Sequence, residues 1–240
     1  MQRTLPDLDL RGRRSIPASV WDRDDLLRLV VADMELTELP PDVGRLTGLT
    51  TLDAAHNRLR AVPEELARLE ALEILYLGEN QLSELPGGVR SLQRLRYLGI
   101  DANLLTALPA WIGELGSLVE LRLQRNALTV LPDEIGALSA LRELHTPGNR
   151  FTALPASIGA LGDLRVLDLR GNALTGLPPD LGGLERLRTL DLRANPLRSL
   201  PDELAGLERL EKLDLRWTPF FPDLPAPARA LEARGCTVLH

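Results

Sequence analysis

Histidine, cysteine, tyrosine and converging carboxylates are the side chains through which a chain does chemistry, and here they are scarce. The 240 residues hold three His (His56, His145, His240), one Cys (Cys236) and two Tyr (Tyr76, Tyr97). A lone cysteine forms no intrachain disulfide and no cysteine-based metal site. The glycines at Gly113, Gly136, Gly159 and Gly182 recur at a fixed step of 23 residues, so they belong to a repeat and not to a phosphate loop. No P-loop, dinucleotide fingerprint, H-E-x-x-H or C-x-x-C is present. The expectation is a protein without catalytic residues, cofactor or metal, whose chemistry is binding.

Composition narrows the partner. With 34 acids against 28 bases the net charge is −6, which gives no reason to expect nucleic acid. The start, Met1 to Asp7, lacks the apolar core of a secretory signal, which points to the cytoplasm. Leucine supplies 56 of the 240 residues while aromatics make up only 3%. Charged residues reach 26%, and no run approaches the roughly 18 apolar residues of a membrane span. Such an excess of leucine in a charged chain calls for a repeat.

Asparagines at Asn57, Asn80, Asn103, Asn126, Asn149, Asn172 and Asn195 recur every 23 residues without an insertion. Aligned on them, the unit reads L-x-x-L-x-L-x-x-N-x-L-x-x-L-P-x-x-I-x-x-L-x-x, a period within the range of leucine-rich repeats. The alternation in L-x-L predicts a short strand, and the Asn suits the turn after it, where its amide reaches unpaired backbone groups. Leu-Pro then opens an outer helical turn, with Pro expected at the first helical position. Acids follow in Pro63-Glu64-Glu65, Pro132-Asp133-Glu134 and Pro201-Asp202-Glu203, where they complement the helix dipole.

The reading is one domain over 1–240. It has a degenerate N-terminal capping repeat at 5–25, eight repeats at 26–209, and a degenerate last repeat with a C-terminal cap at 210–240. Met34 and Thr218 stand where the first and last full units should carry Asn. Trp21 at one end, and Trp217, Phe220 and Phe221 at the other, are expected to plug the stack. The fold class is α/β: a curved solenoid with a parallel sheet on the concave face and short helical or 3-10 turns outside.

The phrase L-P-x-x-I-G-x-L-x-x-L, seen from Leu108, Leu131 and Leu154, resembles the 23-residue intracellular class of leucine-rich repeat proteins. That class includes the Ras-binding scaffold group, plant Ras-group-related proteins and many bacterial members. The resemblance covers nearly the whole chain and implies protein–protein binding. Some bacterial relatives are injected effectors that fuse such repeats to a catalytic domain, so a host-directed effector, or the substrate-recruiting part of a ubiquitin ligase, is the alternative.

Strand positions six, four and two residues before each Asn face outward. Ile74, Tyr76 and Tyr97 form an apolar, aromatic patch there, with Gly78 and Gly99 expected to offer open backbone. Asp101, Glu120, Arg122, Gln124, Glu143 and His145 give a varied polar surround. Tyrosine anchors with a polar rim suit the centre of an interface, so these nine residues are the candidate site for a protein partner, with the chain as a monomer. In the C-terminal third, repeated Asp-Leu-Arg places an acid column beside a base column, expected to compensate itself. Thr146 and Pro147 break the repeat in the strand that carries His145, a defect or a kink that re-aims His145 and Arg150. Trp111 marks a possible second contact on the convex side.

Overall fold

The structure, a computed structural model, describes residues 6–220 and 222–240. Leu5 and Phe221 of the expected caps lie outside the described residues. The chain divides into two compact units, 1–105 and 106–240.

In the first unit, strands β1 (Asp7–Asp9), β2 (Arg28–Val30), β3 (Thr51–Asp53), β4 (Ile74–Tyr76) and β5 (Tyr97–Gly99) pair in sequence order, all parallel. The second unit repeats the pattern with β6 (Glu120–Arg122), β7 (Glu143–His145), β8 (Val166–Asp168), β9 (Thr189–Asp191), β10 (Lys212–Asp214) and β11 (Thr237–Leu239). The central leucine of each strand from Leu29 to Leu213 is 0% exposed. Its neighbours on either side face the open side of the sheet, as the period-2 pattern requires.

Each strand from β1 to β9 is followed by a five-residue 3-10 turn, as in Glu64–Arg68 and Asp133–Ala137. The Leu-Pro proline sits one residue earlier than expected. Pro63, Pro86, Pro109, Pro132, Pro155 and Pro201 are extended cap residues before the turn, and only Pro41 and Pro179, each second in a Pro pair, enter it. The reason is that the cap must accept rather than donate. Leu66 N–H bonds the Pro63 carbonyl at 3.1 Å, and Ile135 N–H bonds that of Pro132 at 3.0 Å. The acids expected in the first turn are there, with Glu64 and Glu65, Asp133 and Glu134, and Asp202 and Glu203.

The asparagine does more than close a turn. Asn80 Nδ2 donates to the carbonyls of Leu77 (3.0 Å) and Gly78 (3.2 Å) in its own repeat and Ala54 (3.0 Å) in the one before. Its Oδ1 accepts the Leu59 N–H at 2.9 Å. One buried amide thus bonds four backbone groups, the Gly78 carbonyl also taking the His56 N–H of the ladder at 2.9 Å. At the last repeat Thr218 keeps only part of this, its hydroxyl bonding the Leu215 carbonyl at 2.6 Å.

A second row was not legible in the repeat. The residue before each Asn position is left-handed: Asp33, His56, Glu79 and Ala102 in the first unit, and Arg125, Gly148, Gly171, Ala194 and Trp217 in the second. It swings the chain out of the strand, at a conformational cost of about 1 kcal/mol wherever it is not glycine.

The ends differ from expectation in one respect. Trp21 is 7% exposed and Phe220 9%, so both are packed, but Trp217 is 73% exposed. Its left-handed backbone directs the indole to solvent, so it caps nothing. The C-terminus is closed instead by helix α1 (Ala226–Ala233), which buries Pro227, Ala228 and Leu231, and by β11 along β10.

Candidate protein-binding face

In the first unit, Ile74 and Tyr76 on β4 and Tyr97 on β5 are half-buried on the open face. Ile74 lies opposite Tyr97, and Tyr76 opposite Gly99. The two tyrosine rings meet diagonally across the strands, with centroids 4.7 Å apart and planes tilted by 47°, a geometry favourable to aromatic pairs. Gly78 and Gly99 are buried and do not present open backbone to a ligand. A Cβ at Gly99 would stand 3.1 Å from the Tyr97 ring and hydroxyl, and one at Gly78 would stand 2.7 Å from Asp101 Oδ1. The glycines make room for Tyr97 and Asp101, bringing the pair and its acidic neighbour together.

The other candidates occupy the second unit. Glu120 faces Glu143 across β6 and β7, and Arg122 faces His145. Arg122 Nε donates to Glu120 Oε1 at 2.5 Å, and His145 Nε2 lies 3.1 Å from Glu143 Oε2. One ligand atom from each of Glu120, Glu143 and His145 falls within 4.8 Å of the others. Two carboxylates and an imidazole suit a divalent cation. Here, however, Arg122 already pairs with Glu120. Gln124 Oε1 is buried with no hydrogen-bond partner among the described residues.

Pro147 does not break the ladder. Its carbonyl accepts Arg125 N–H at 2.8 Å, and the strand ends before it at His145. Elsewhere the N–H at this position turns to a side chain of its own strand, as Arg193 N–H does to Asp191 Oδ1 at 3.1 Å. Proline therefore forfeits no inter-strand bond. Thr146, fully buried, bonds the Asp168 carbonyl through Oγ1 at 3.0 Å. Trp111 is half-buried on its 3-10 turn.

The Asp-Leu-Arg columns compensate themselves only in part. Arg193 forks onto Asp191, with Nε at 2.9 Å from Oδ1 and Nη2 at 2.5 Å from Oδ2, and lies 3.4 Å from Asp214. Arg216 grips Asp214 at 2.9 and 2.7 Å. Burial pushes the Asp214 carboxyl up, but the Arg216 guanidinium and backbone N–H, with Arg193, outweigh it and hold it below its ordinary value. Asp168 is the exception. Its carboxylate receives only the Arg170 backbone N–H, at 3.1 Å, and burial, aided by the Asp191 charge, raises its pKa above 3.8.

A raised carboxyl pKa means that ionising Asp168 costs the folded state more than the unfolded chain. That penalty is absent below the ordinary value of 3.8 and fully present above the folded one. Asp168→Asn, which keeps an acceptor for Arg170, is expected to raise the melting temperature at neutral pH, and the gain should vanish in acid. Melting followed by circular dichroism across pH checks it.

Sequence comparison bears on the whole repeat. A family model described as "Leucine-rich repeat region" matches residues 87–168, and one described as "Leucine rich repeat" matches 47–105 and 162–220. The leucine-rich repeat domain of the type III effector XopL is 32% identical, with 92% of this chain and 78% of that one covered and a TM-score of 0.81. The chain belongs to the leucine-rich repeat family. A leucine-rich repeat protein of Leptospira interrogans is 30% identical over 95% of this chain, TM-score 0.76. The plant peptide hormone receptor RGFR1, in complex with RGF2, is likewise 30% identical over 93% of it, TM-score 0.76. The leucine-rich repeats here span 64% of the Leptospira chain and 37% of the receptor chain. No curated protein sequence matches. Leucine-rich repeats are widely protein–protein interaction scaffolds, and no helix of this one is long and apolar enough to cross a membrane.

Proposed function

We propose that this leucine-rich repeat protein is a non-catalytic scaffold that takes a protein partner on the open, expectedly concave face of its sheet. The observation that carries the reading is the Tyr76–Tyr97 pair, two half-buried rings in contact on that face. Rigid aromatic anchors with polar neighbours concentrate binding energy at low entropic cost. Ile74 and Asp101 complete the anchor in the first unit. Glu120, Arg122, Gln124, Glu143 and His145 offer a second, mostly polar surface, with its ion pairs prearranged. RGFR1 holding RGF2 supports polypeptide recognition by this fold. The chain is read as one monomeric domain, cytoplasmic and engaged in signalling, without nucleic acid or membrane as partner.

The test is capture of a partner by the chain and by its Tyr76→Ala/Tyr97→Ala variant. Both residues are partly exposed and neither fills the leucine core, so binding should be lost while the melting temperature changes little. A second reading, a host-directed effector or the substrate-recruiting part of a ubiquitin ligase, is favoured by the likeness to the XopL repeat domain. A secretion assay separates the two, since a resident scaffold stays in the cell.

A further inference from the structure

The left-handed row of the second unit borders a groove of about 570 Å³. Arg125, Gly148, Gly171, Ala194 and Trp217 line it from that row, and Gln124, Pro147 and Arg170 from the positions just before. The three small residues leave the middle shallow, between Arg125 at one end and the indole at the other. Four repeat steps at about 4.8 Å make it roughly 19 Å long, the reach of about six extended residues.

Its chemistry is one-sided. The lining carries two arginines and no acid, in a chain whose net charge is −6. The Arg170 guanidinium is exposed and, unlike those of Arg193 and Arg216, has no paired carboxylate among the described residues. Trp217 is 73% exposed, with the Arg216 guanidinium 5.8 Å from its ring centroid, which steadies the indole from one side. Gln124 Oε1 is a buried acceptor without a donor among the described residues, and such a group is costly unless something bonds to it.

We propose that this groove binds an extended acidic peptide segment of about six residues. The Arg170 guanidinium receives a carboxylate of the peptide, the Gln124 carbonyl accepts a backbone N–H, and an apolar side chain of the peptide lies on Trp217. Charge complementarity selects this occupant: a neutral peptide leaves Arg170 unpaired, and a basic one is repelled. The site goes beyond the tyrosine pair and shares no residue with it, meeting the proposed binding face at Gln124, so variants of the pair and of the groove test the two readings separately.

A phage-displayed library of random peptides, selected on the full chain, tests it. The expected result is enrichment of Asp and Glu with an apolar residue to one side. A synthetic copy of the leading peptide, followed by fluorescence anisotropy, should bind more weakly as salt rises. Arg170→Ala and Trp217→Ala should each weaken it roughly fivefold or more, while Tyr76→Ala/Tyr97→Ala leaves it unchanged. Both groove residues are exposed, so the variants should fold, and an unchanged circular dichroism melt confirms that. Failure to select peptides, selection without acidic enrichment, or equal binding by Arg170→Ala would each overturn the proposal. So would a single-stranded oligonucleotide outcompeting the acidic peptide, since that would assign Arg170 to phosphate.

Discussion

Asn172→Ala is expected to cost about 3 kcal/mol of unfolding free energy. The residue is 8% exposed. Its Nδ2 donates to the carbonyls of Leu169 at 2.9 Å and Thr146 at 3.2 Å, and Oδ1 accepts Phe151 N–H at 3.1 Å. Alanine leaves the Phe151 N–H buried without its acceptor, at roughly 1–3 kcal/mol, and removes one of two amide donors from each carbonyl, since Asn195 also bonds Leu169 and Asn149 also bonds Thr146. The loss reaches beyond one repeat, because Thr146 and Phe151 belong to the preceding one, and solenoid stability is carried by such neighbour terms. Urea denaturation measures it. A loss below about 1 kcal/mol would mean that water replaces the amide and that the asparagine row is dispensable.

Gly159→Ala is the second large effect, and it acts through space rather than polarity. Gly159 belongs to the turn Ala156–Ala160, where a Cβ would overlap the Asp180 carbonyl of the next turn, lying 2.8 Å from its carbon atom. Backbone cannot rotate aside as a side chain does, so the turns must separate, at about 3 kcal/mol. Gly136 has the same relation to Ser157, its Cβ falling 2.5 Å from that carbonyl. Gly162→Ala is the control, since a Cβ there meets nothing within 4 Å. Thermal melts of the two variants should therefore part, with Gly159→Ala low and Gly162→Ala close to the parent. Equal melting of both would show that the turns yield freely.

These two residues mark how much the sequence disclosed. The recurrence of Asn172 and Gly159 at 23 was visible, and so was their structural rather than catalytic role. The contacts that require them, an amide reaching the previous repeat and a turn pressed on the next, belong to the stacked state. The meeting of Tyr76 and Tyr97 was legible because an unbroken period places equivalent strand residues opposite one another. The purpose of Gly78 and Gly99 was not, since a glycine in a sequence does not say whether its space stays open or is filled by a neighbour. The left-handed row escaped notice because His56, Glu79, Arg125 and Trp217 carry no mark of that backbone. For the same reason Trp217 read as a plug: its apolarity fits a cap, and only its backbone conformation turns it outward. The unpaired state of Arg170 was hidden in an Asp-Leu-Arg phrase common to its neighbours, which do pair.

Capture of a partner from native lysate by three versions of the chain tests the central claim most directly. The parent and Trp111→Ala, altered on an outer turn, should recover the same protein, and Tyr76→Ala/Tyr97→Ala should lose it at an unchanged melting temperature. Recovery of that protein by the tyrosine variant together with its loss from Trp111→Ala would place binding on the outer turns and contradict the account.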